Sequence, residues 1–590
     1  DAPVGQFNIG NVLNDLALPR EAVEYYTRAV SLDPSFVDAH FGKASTLYAV
    51  KDFEAACTAY RNVLALRPDH CEAAYGLAMG LAELGQHEEA ASWFRRAIAL
   101  DPGKRDAYLA LGNLLSMRVD HQDPSGLDEA IDCYRKVLVM KPDDAKSRAR
   151  LGNMLLVQGK IDETLSEYRL ALEYTPDLID AHSCYLMSMQ YHPAPQLSEL
   201  YEESVKWYRK FAAPVPKITG HRNGREPERR LRIGYVSADF KRHPVGFHLM
   251  PVLQHHDAER FEVYCYSNEV RTDFYTDRMQ SYVDNWRTID GLDDEVVQNM
   301  IVDDKIDILV DLAGHTSGNR LLLFARRPAP VQVSWLGYFF STGLAEIDYI
   351  IMDETAVLPG EERWFAEKVV RLPDTRFCYE PVPYAPEVAP LPAERNRYIT
   401  FGSFNNLAKV TPQVVRLWAR VLREIPDARL LIKSPAFHGA AAREHFQSLF
   451  AKEGIVPERL ILRGQSEHIA MLGEYGDMDI ALDPFPFNGG ITTCEALWMG
   501  VPVLTLTGNR PIARQTTAFL RAVGMPEFIA RSEDEYCELA RRWAERIEAL
   551  VEIRQQLRRK MRDSLLCDGK RFTANLESAY RQMWRAWCES

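Results

Sequence analysis

Prolines at positions 34, 68, 102, 142 and 176 stand 34, 34, 40 and 34 residues apart. The same steps separate Tyr26, Tyr60, Phe94, Tyr134 and Tyr168, and Ala22, Ala56, Ala90 and Ala130 keep the register with Thr164 as fifth member. A constant phase of small, aromatic and proline positions demands a stack of helix hairpins, because one hairpin cannot bury its own apolar face and needs the next to cover it. The single longer step is an insertion within Val119–Gly126, expected at the turn between paired helices.

This period is the tetratricopeptide pattern. It predicts a right-handed superhelix over residues 1–215, about five repeats followed by irregular closing helices from Leu178 onward. A long concave surface of that kind grips proteins or peptides, and a homodimer platform is the alternative use. The chain starts inside a repeat and without Met, so an N-terminal truncation is expected.

A net charge of −13 over 590 residues argues against nucleic-acid binding. No apolar run reaches the roughly 18 residues of a membrane span, and the start lacks the form of a signal peptide, so a cytoplasmic protein is expected. The ten cysteines are scattered without a C-x-x-C pair, which suggests reduced thiols and no metal site.

A basic linker, residues 216–230, ends the helical region. From Leu231 short β-rich runs alternate with helical stretches: 231–237, 261–267, 306–312, 331–336 and 348–353. A second linker holds five prolines between Pro381 and Pro392, and a second series follows at 398–404, 429–433, 459–463, 479–483 and 501–506. Apolar strands joined by helical crossovers imply parallel sheets covered on both faces. The reading is therefore two Rossmann-like lobes, 231–385 and 386–590, in the α/β architecture called GT-B. Helices rich in Arg, Glu and tryptophan (Trp543, Trp584, Trp587) close the chain and are expected to pack back on the first lobe.

Ligands of such sheets sit at the carboxyl ends of strands, where three polar loops fall. The first holds Asp239, Lys241, Arg242, His243 and His248; a histidine of ordinary pKa near 6.5 suits a general base or a donor to a leaving phosphate. The second holds Asn406 and Lys409. The third, D-P-F-P-F-N-G-G-I-T-T-C-E-A-L-W from Asp483 to Trp498, runs from a strand through Gly489 and Gly490 into a helix that begins with Thr492, Thr493 and Glu495. Glycines admit a ligand to the backbone, free amides and the helix dipole face an anion, and the carboxylate can accept from a ribose hydroxyl. An ordinary capped strand-turn-helix connection is the alternative. Asp477-Met478-Asp479 matches a metal-binding D-x-D only superficially and is expected to cap a junction.

Together the repeats, R-I-G-Y-V-S-A-D-F-K-R-H-P, R-R-P-A-P-V-Q-V-S-W-L-G-Y, F-G-S-F-N-N-L-A-K and the Asp483 stretch closely resemble the tetratricopeptide-containing protein O-glycosyltransferases, which include the O-GlcNAc transferases and SPINDLY proteins. The resemblance spans essentially the whole chain. It implies metal-independent, inverting sugar transfer from a nucleotide donor to Ser or Thr of a protein, with no cofactor besides the co-substrate. By position it assigns His243 to the acceptor side, Lys409 and Asn406 to the diphosphate, Thr492 to phosphate, Glu495 to ribose, Thr342 and Gly343 to the sugar pocket and His468 to the base. Gly490-Ile491-Thr492 stands where animal O-GlcNAc transferases have His-Thr-Thr, leaving Thr493 to compensate. The favoured donor is UDP-GlcNAc; N-N-L-A-K and R-L-P-D-T-R-F-C-Y look more like SPINDLY, whose donor is GDP-fucose. A sugar-nucleotide epimerase and a repeat scaffold with an inactive catalytic fold are the readings from other classes.

Overall fold

The computed structural model describes residues 2–120 and 123–590. His121 and Gln122, within the insertion, lie outside the described residues; around them a helix runs Arg105–Asp120 and a short turn Pro124–Gly126 precedes the next helix. The chain forms two compact units, residues up to Met154 with Glu173–Thr175, and Leu155–Leu172 with Pro176–Ser590.

In the first unit helices pair as antiparallel hairpins, beginning with Pro3–Asp15 and Pro19–Leu32, then Val37–Ala49 and Phe53–Leu66. The repeat phase has a steric cause. The ring of Tyr26 fills the space where a side chain on Gly42, in the next hairpin, would stand, since a Cβ there would come 2.9 Å from the ring; one period on, the ring of Tyr60 meets Gly76 in the same manner. The repeated phase of aromatic and small positions thus sets helix spacing. Each proline follows a helix end, where a missing N–H removes no helical bond. Asp52 accepts from the Ala55 amide and caps its helix.

The second unit carries two parallel sheets. The first is built from β1 (Leu231–Ser237), β2 (Phe261–Ser267), β3 (Asn285–Thr288), β4 (Ile308–Asp311), β5 (Val331–Ser334), β6 (Tyr349–Asp353) and β7 (Lys368–Leu372), in the order β3-β2-β1-β4-β5-β6-β7. The second contains β8 (Thr400–Ser403), β9 (Arg429–Lys433), β10 (Leu460–Arg463), β11 (Ile480–Leu482), β12 (Val503–Leu506) and β13 (Ile529–Ala530), in the order β10-β9-β8-β11-β12-β13. All neighbouring strands run parallel. Strands β3, β7 and β13 were not anticipated: they lie toward sheet edges, are partly exposed and lack an apolar run. Strand order reverses between β1 and β4 and between β8 and β11, the switch points where such sheets open a crevice.

Helices Ile179–Met189 and Leu197–Trp207 belong to this second unit. Leu186, Trp207 and Ala212 share a core with Tyr266, Leu309 and Phe324 of the first lobe. Ile161, Leu165, Met189 and Leu200 share another with Tyr338, Phe340 and Met352. Full burial of such side chains contributes about 1.5–3 kcal/mol each.

The last helix, Gly569–Glu589, returns to the first lobe as expected. Glu577 accepts from the Asp257 amide at 2.8 Å and lies 2.9 Å from His256 Nδ1; the Trp584 indole donates to the Glu226 carbonyl. Asp479 accepts from the amides of Ala393 and Thr400 and Asp477 pairs with Arg463, so the D-x-D residues serve the junction they were assigned to. Among the described residues no helix is long and apolar enough to cross a membrane.

Candidate active site

A cavity of about 410 Å³ opens where the loops after β1, β4, β8 and β11 converge. Both switch points therefore face one space. Asp239, His243 and His248 come from the loop and helix after β1; Thr316 and Ser317 follow β4; Asn405, Asn406 and Lys409 follow β8; Phe487, Gly490, Ile491 and Thr492 follow β11. A larger hollow, about 680 Å³, lies against Arg554 and Arg558, but both guanidiniums are bonded to backbone carbonyls and none of the candidate residues lines it.

His243 caps the helix Pro244–His255, its Nδ1 receiving the Val245 amide at 3.3 Å. The Asp239 carboxylate lies 3.5 Å from the same nitrogen. Enclosure by the cleft lowers the His243 pKa from its ordinary value, against the opposing pull of Asp239, while desolvation raises that of Asp239. The imidazole is still 40% exposed, so it can meet a ligand. His248, deeper in the wall, donates Nδ1–H to the Cys378 carbonyl at 2.8 Å, and burial lowers its pKa to about 4. It is neutral throughout the physiological range.

Opposite them Lys409 donates from Nζ to the Asn488 carbonyl at 2.9 Å. Burial lowers its pKa, and the charge of Asp483 works against that shift. A lysine so held presents a charge that a diphosphate would draw on. Asn406 is exposed at the cavity rim, with Oδ1 accepting from the Ala408 amide. Thr492 lines the cavity, yet its hydroxyl donates to Asn405 at 3.0 Å. The amides of Gly490, Ile491 and Thr492 open the helix Ile491–Trp498 and have no partner among the described residues. They supply the donors expected of an anion seat.

Several expected residues stand behind the cavity wall. Gly489 donates to Asp483 and Thr493 shares a hydroxyl contact with Thr516, so both shape the turn from behind. Glu495 is buried, 2.9 Å from His468 Nε2, and His468 Nδ1 lies 2.8 Å from the Tyr384 hydroxyl, which in turn is 3.4 Å from Tyr275 of the first lobe. The two residues assigned to ribose and base thus touch each other. Thr342 directs its amide and hydroxyl to the buried Glu367 carboxylate and is absent from the cavity lining. Gly343, at φ +79°, packs on the backbone of Ser204, where a Cβ would lie 2.6 Å from the carbonyl oxygen.

The sequence reading missed Asn405, Gln515, Phe339, Phe377, Met187 and Tyr191, all of which line the cavity. Asn405 was legible as half of the Asn-Asn pair. Tyr191 stacks on Phe487 at 4.5 Å and 12°. Its place follows a helix assigned to the closing repeats, so nothing local marked it.

Two doubly wound parallel sheets whose switch points share one cavity, downstream of helical repeats, define the GT-B class of two-lobed α/β proteins. The chain belongs to glycosyl transferase family 41, whose family model matches residues 215–382 and 391–576; a tetratricopeptide model matches 7–57 and 44–105. It is similar to the probable UDP-N-acetylglucosamine–peptide N-acetylglucosaminyltransferase SPINDLY of Solanum lycopersicum, 42% identical over 71% of this chain and 45% of that protein. The Arabidopsis thaliana protein of the same name is 39% identical over 70% of this chain and 46% of that one. The chain spans about half the length of these curated relatives. A solved structure of a Thermobaculum terrenum O-GlcNAc transferase mutant superimposes with TM-score 0.74 at 34% identity, covering 94% of this chain and 98% of that one.

Proposed function

We propose that this chain is a protein O-glycosyltransferase that moves a sugar from a nucleotide donor to Ser or Thr of an acceptor protein held by the repeats. The observation that carries the reading is the opposition, across one cavity, of His243 to Lys409 and the Gly490–Thr492 amides. A hydroxyl is a weak nucleophile and a departing nucleoside diphosphate gathers negative charge. For His243 to act as base, Nδ1 gives up the Val245 amide and carries a proton directed at Asp239, 3.5 Å away, which leaves Nε2 unprotonated to take the acceptor's proton as its oxygen bonds to the anomeric carbon. The bond to the diphosphate oxygen breaks on the opposite face, which inverts the anomeric centre. Lys409 and the amides stabilise the leaving oxygens, with roughly 3–4 kcal/mol for each well-aimed donor, so the step is written without a metal ion.

UDP-GlcNAc is the donor favoured here, supported by the names of the family relatives and of the superimposed structure. GDP-fucose is the second reading, favoured by the SPINDLY-like N-N-L-A-K loop at 405–409. Calorimetric titration with UDP and GDP decides between them: tighter UDP binding supports the first and tighter GDP binding the second. Binding of neither supports an inactive scaffold, and donor turnover without any protein acceptor supports an epimerase. An acceptor protein gripped by the repeats has a raised effective concentration at the cleft; a homodimer through the repeats and a cytoplasmic location complete the proposal.

A further inference from the structure

Gln515 begins the helix Gln515–Val523 and is 5% exposed, yet it lines the cavity. Its Nε2 donates to the Gly489 carbonyl at 2.8 Å, and the Thr516 hydroxyl donates to the same oxygen at 3.2 Å. The amide's other end, Oε1, is buried without a partner. A glutamine kept for packing alone would not leave an acceptor unpaired, since an apolar side chain of similar size fills the space without that cost.

The geometry of the peptide gives the bond its consequence. In a trans peptide the carbonyl and the next N–H point in opposite directions. Two donors on the Gly489 carbonyl fix its direction, and with it the direction of the N–H of Gly490, which borders the cavity. Asp483 holds the preceding amide, Gly489 N–H, and fixes the other side of the same residue. Gly490 is also close to the glutamine, for a Cβ there would stand 3.0 Å from Gln515 Nε2.

We propose that Gln515 is a positioning residue for the diphosphate: by pinning the Gly489 carbonyl it aims the Gly490 amide at the phosphate oxygens. The inference rests on the nucleotide-sugar reading above. Gln515→Met keeps the volume and removes the donor; Gln515→Glu sets a carboxylate against the carbonyl. The test is calorimetry of both variants with UDP, GDP and the matching nucleosides, alongside thermal unfolding of the full chain. Expected is a tenfold or greater loss of nucleoside diphosphate affinity with nucleoside affinity unchanged, larger for Gln515→Glu, and recovery toward wild type in Gln515→Asn if Thr516 still shares the carbonyl. Wild-type diphosphate affinity in Gln515→Met, or an equal loss for nucleoside and diphosphate, overturns the proposal. If the unmodified chain binds neither nucleotide, the nucleotide-sugar reading itself fails and this inference goes with it.

Discussion

The ammonium of Lys409 stands 4.4 Å from the centre of the Phe487 ring. The ring face attracts the cation, and the Asn488 carbonyl receives one of its protons, so the charge is held in place before any ligand arrives.

Lys409→Ala is therefore expected to lower kcat about 10²- to 10³-fold while the circular dichroism spectrum stays that of wild type. Near-wild-type turnover would remove the lysine from the diphosphate. Because burial depresses its pKa, the protonated form needed for a diphosphate is lost below the usual lysine range, and activity should fall on the alkaline side before pH 10. The stability effect has the opposite sense: the unfolded chain binds the extra proton between the two pKa values, so stability from this group rises with pH across that window.

His243 governs the acid limb. Its pKa lies below the ordinary histidine value, so turnover should persist to lower pH than an unperturbed imidazole allows. Asp239→Asn removes the charge that raises it, which should shift the limb further toward acid and lower kcat by roughly 10²-fold or more as Nε2 loses its role as base. A pH–rate profile of the pair settles this; an unmoved limb would dissociate Asp239 from His243.

Glu495 and His468 meet at 2.9 Å, and a ribose hydroxyl would compete for the same carboxylate. Glu495→Ala should weaken nucleoside and nucleoside diphosphate alike, by about 1.5–3 kcal/mol if the hydrogen bond is to a charged group. Lys409→Ala should spare the nucleoside. Unchanged nucleoside affinity in Glu495→Ala would mean the carboxylate does not touch the ribose.

Glu577→Ala tests the returning helix. It leaves the Asp257 amide and His256 without their carboxylate partner, and a loss of about 1–3 kcal/mol is expected in urea unfolding of the full chain. No change would show that water replaces the carboxylate.

Legibility in the sequence tracked how local each cause is. The repeats were readable because Tyr26 and Gly42 must fit each other and the same fit recurs at a fixed spacing. His243, Lys409 and Thr492 were readable because loops after strands announce themselves by polar residues between apolar runs. Thr342 and His468 were placed at the ligand by position alone, and their partners, Glu367 and Glu495, lie 25 and 27 residues further along. Gln515 and Tyr191 escaped for a related reason: each acts on a residue of the Phe487–Gly490 turn from a distant part of the chain, a pairing that only folding creates.

The helix Gly569–Glu589 seals Tyr235 and Phe261 of the first sheet with residues made last. A ribosome finishing the second lobe has therefore not yet supplied the cover for the first. The earlier lobe must wait with an open flank during synthesis, and its cover arrives only when the chain has crossed from the second lobe back to the first.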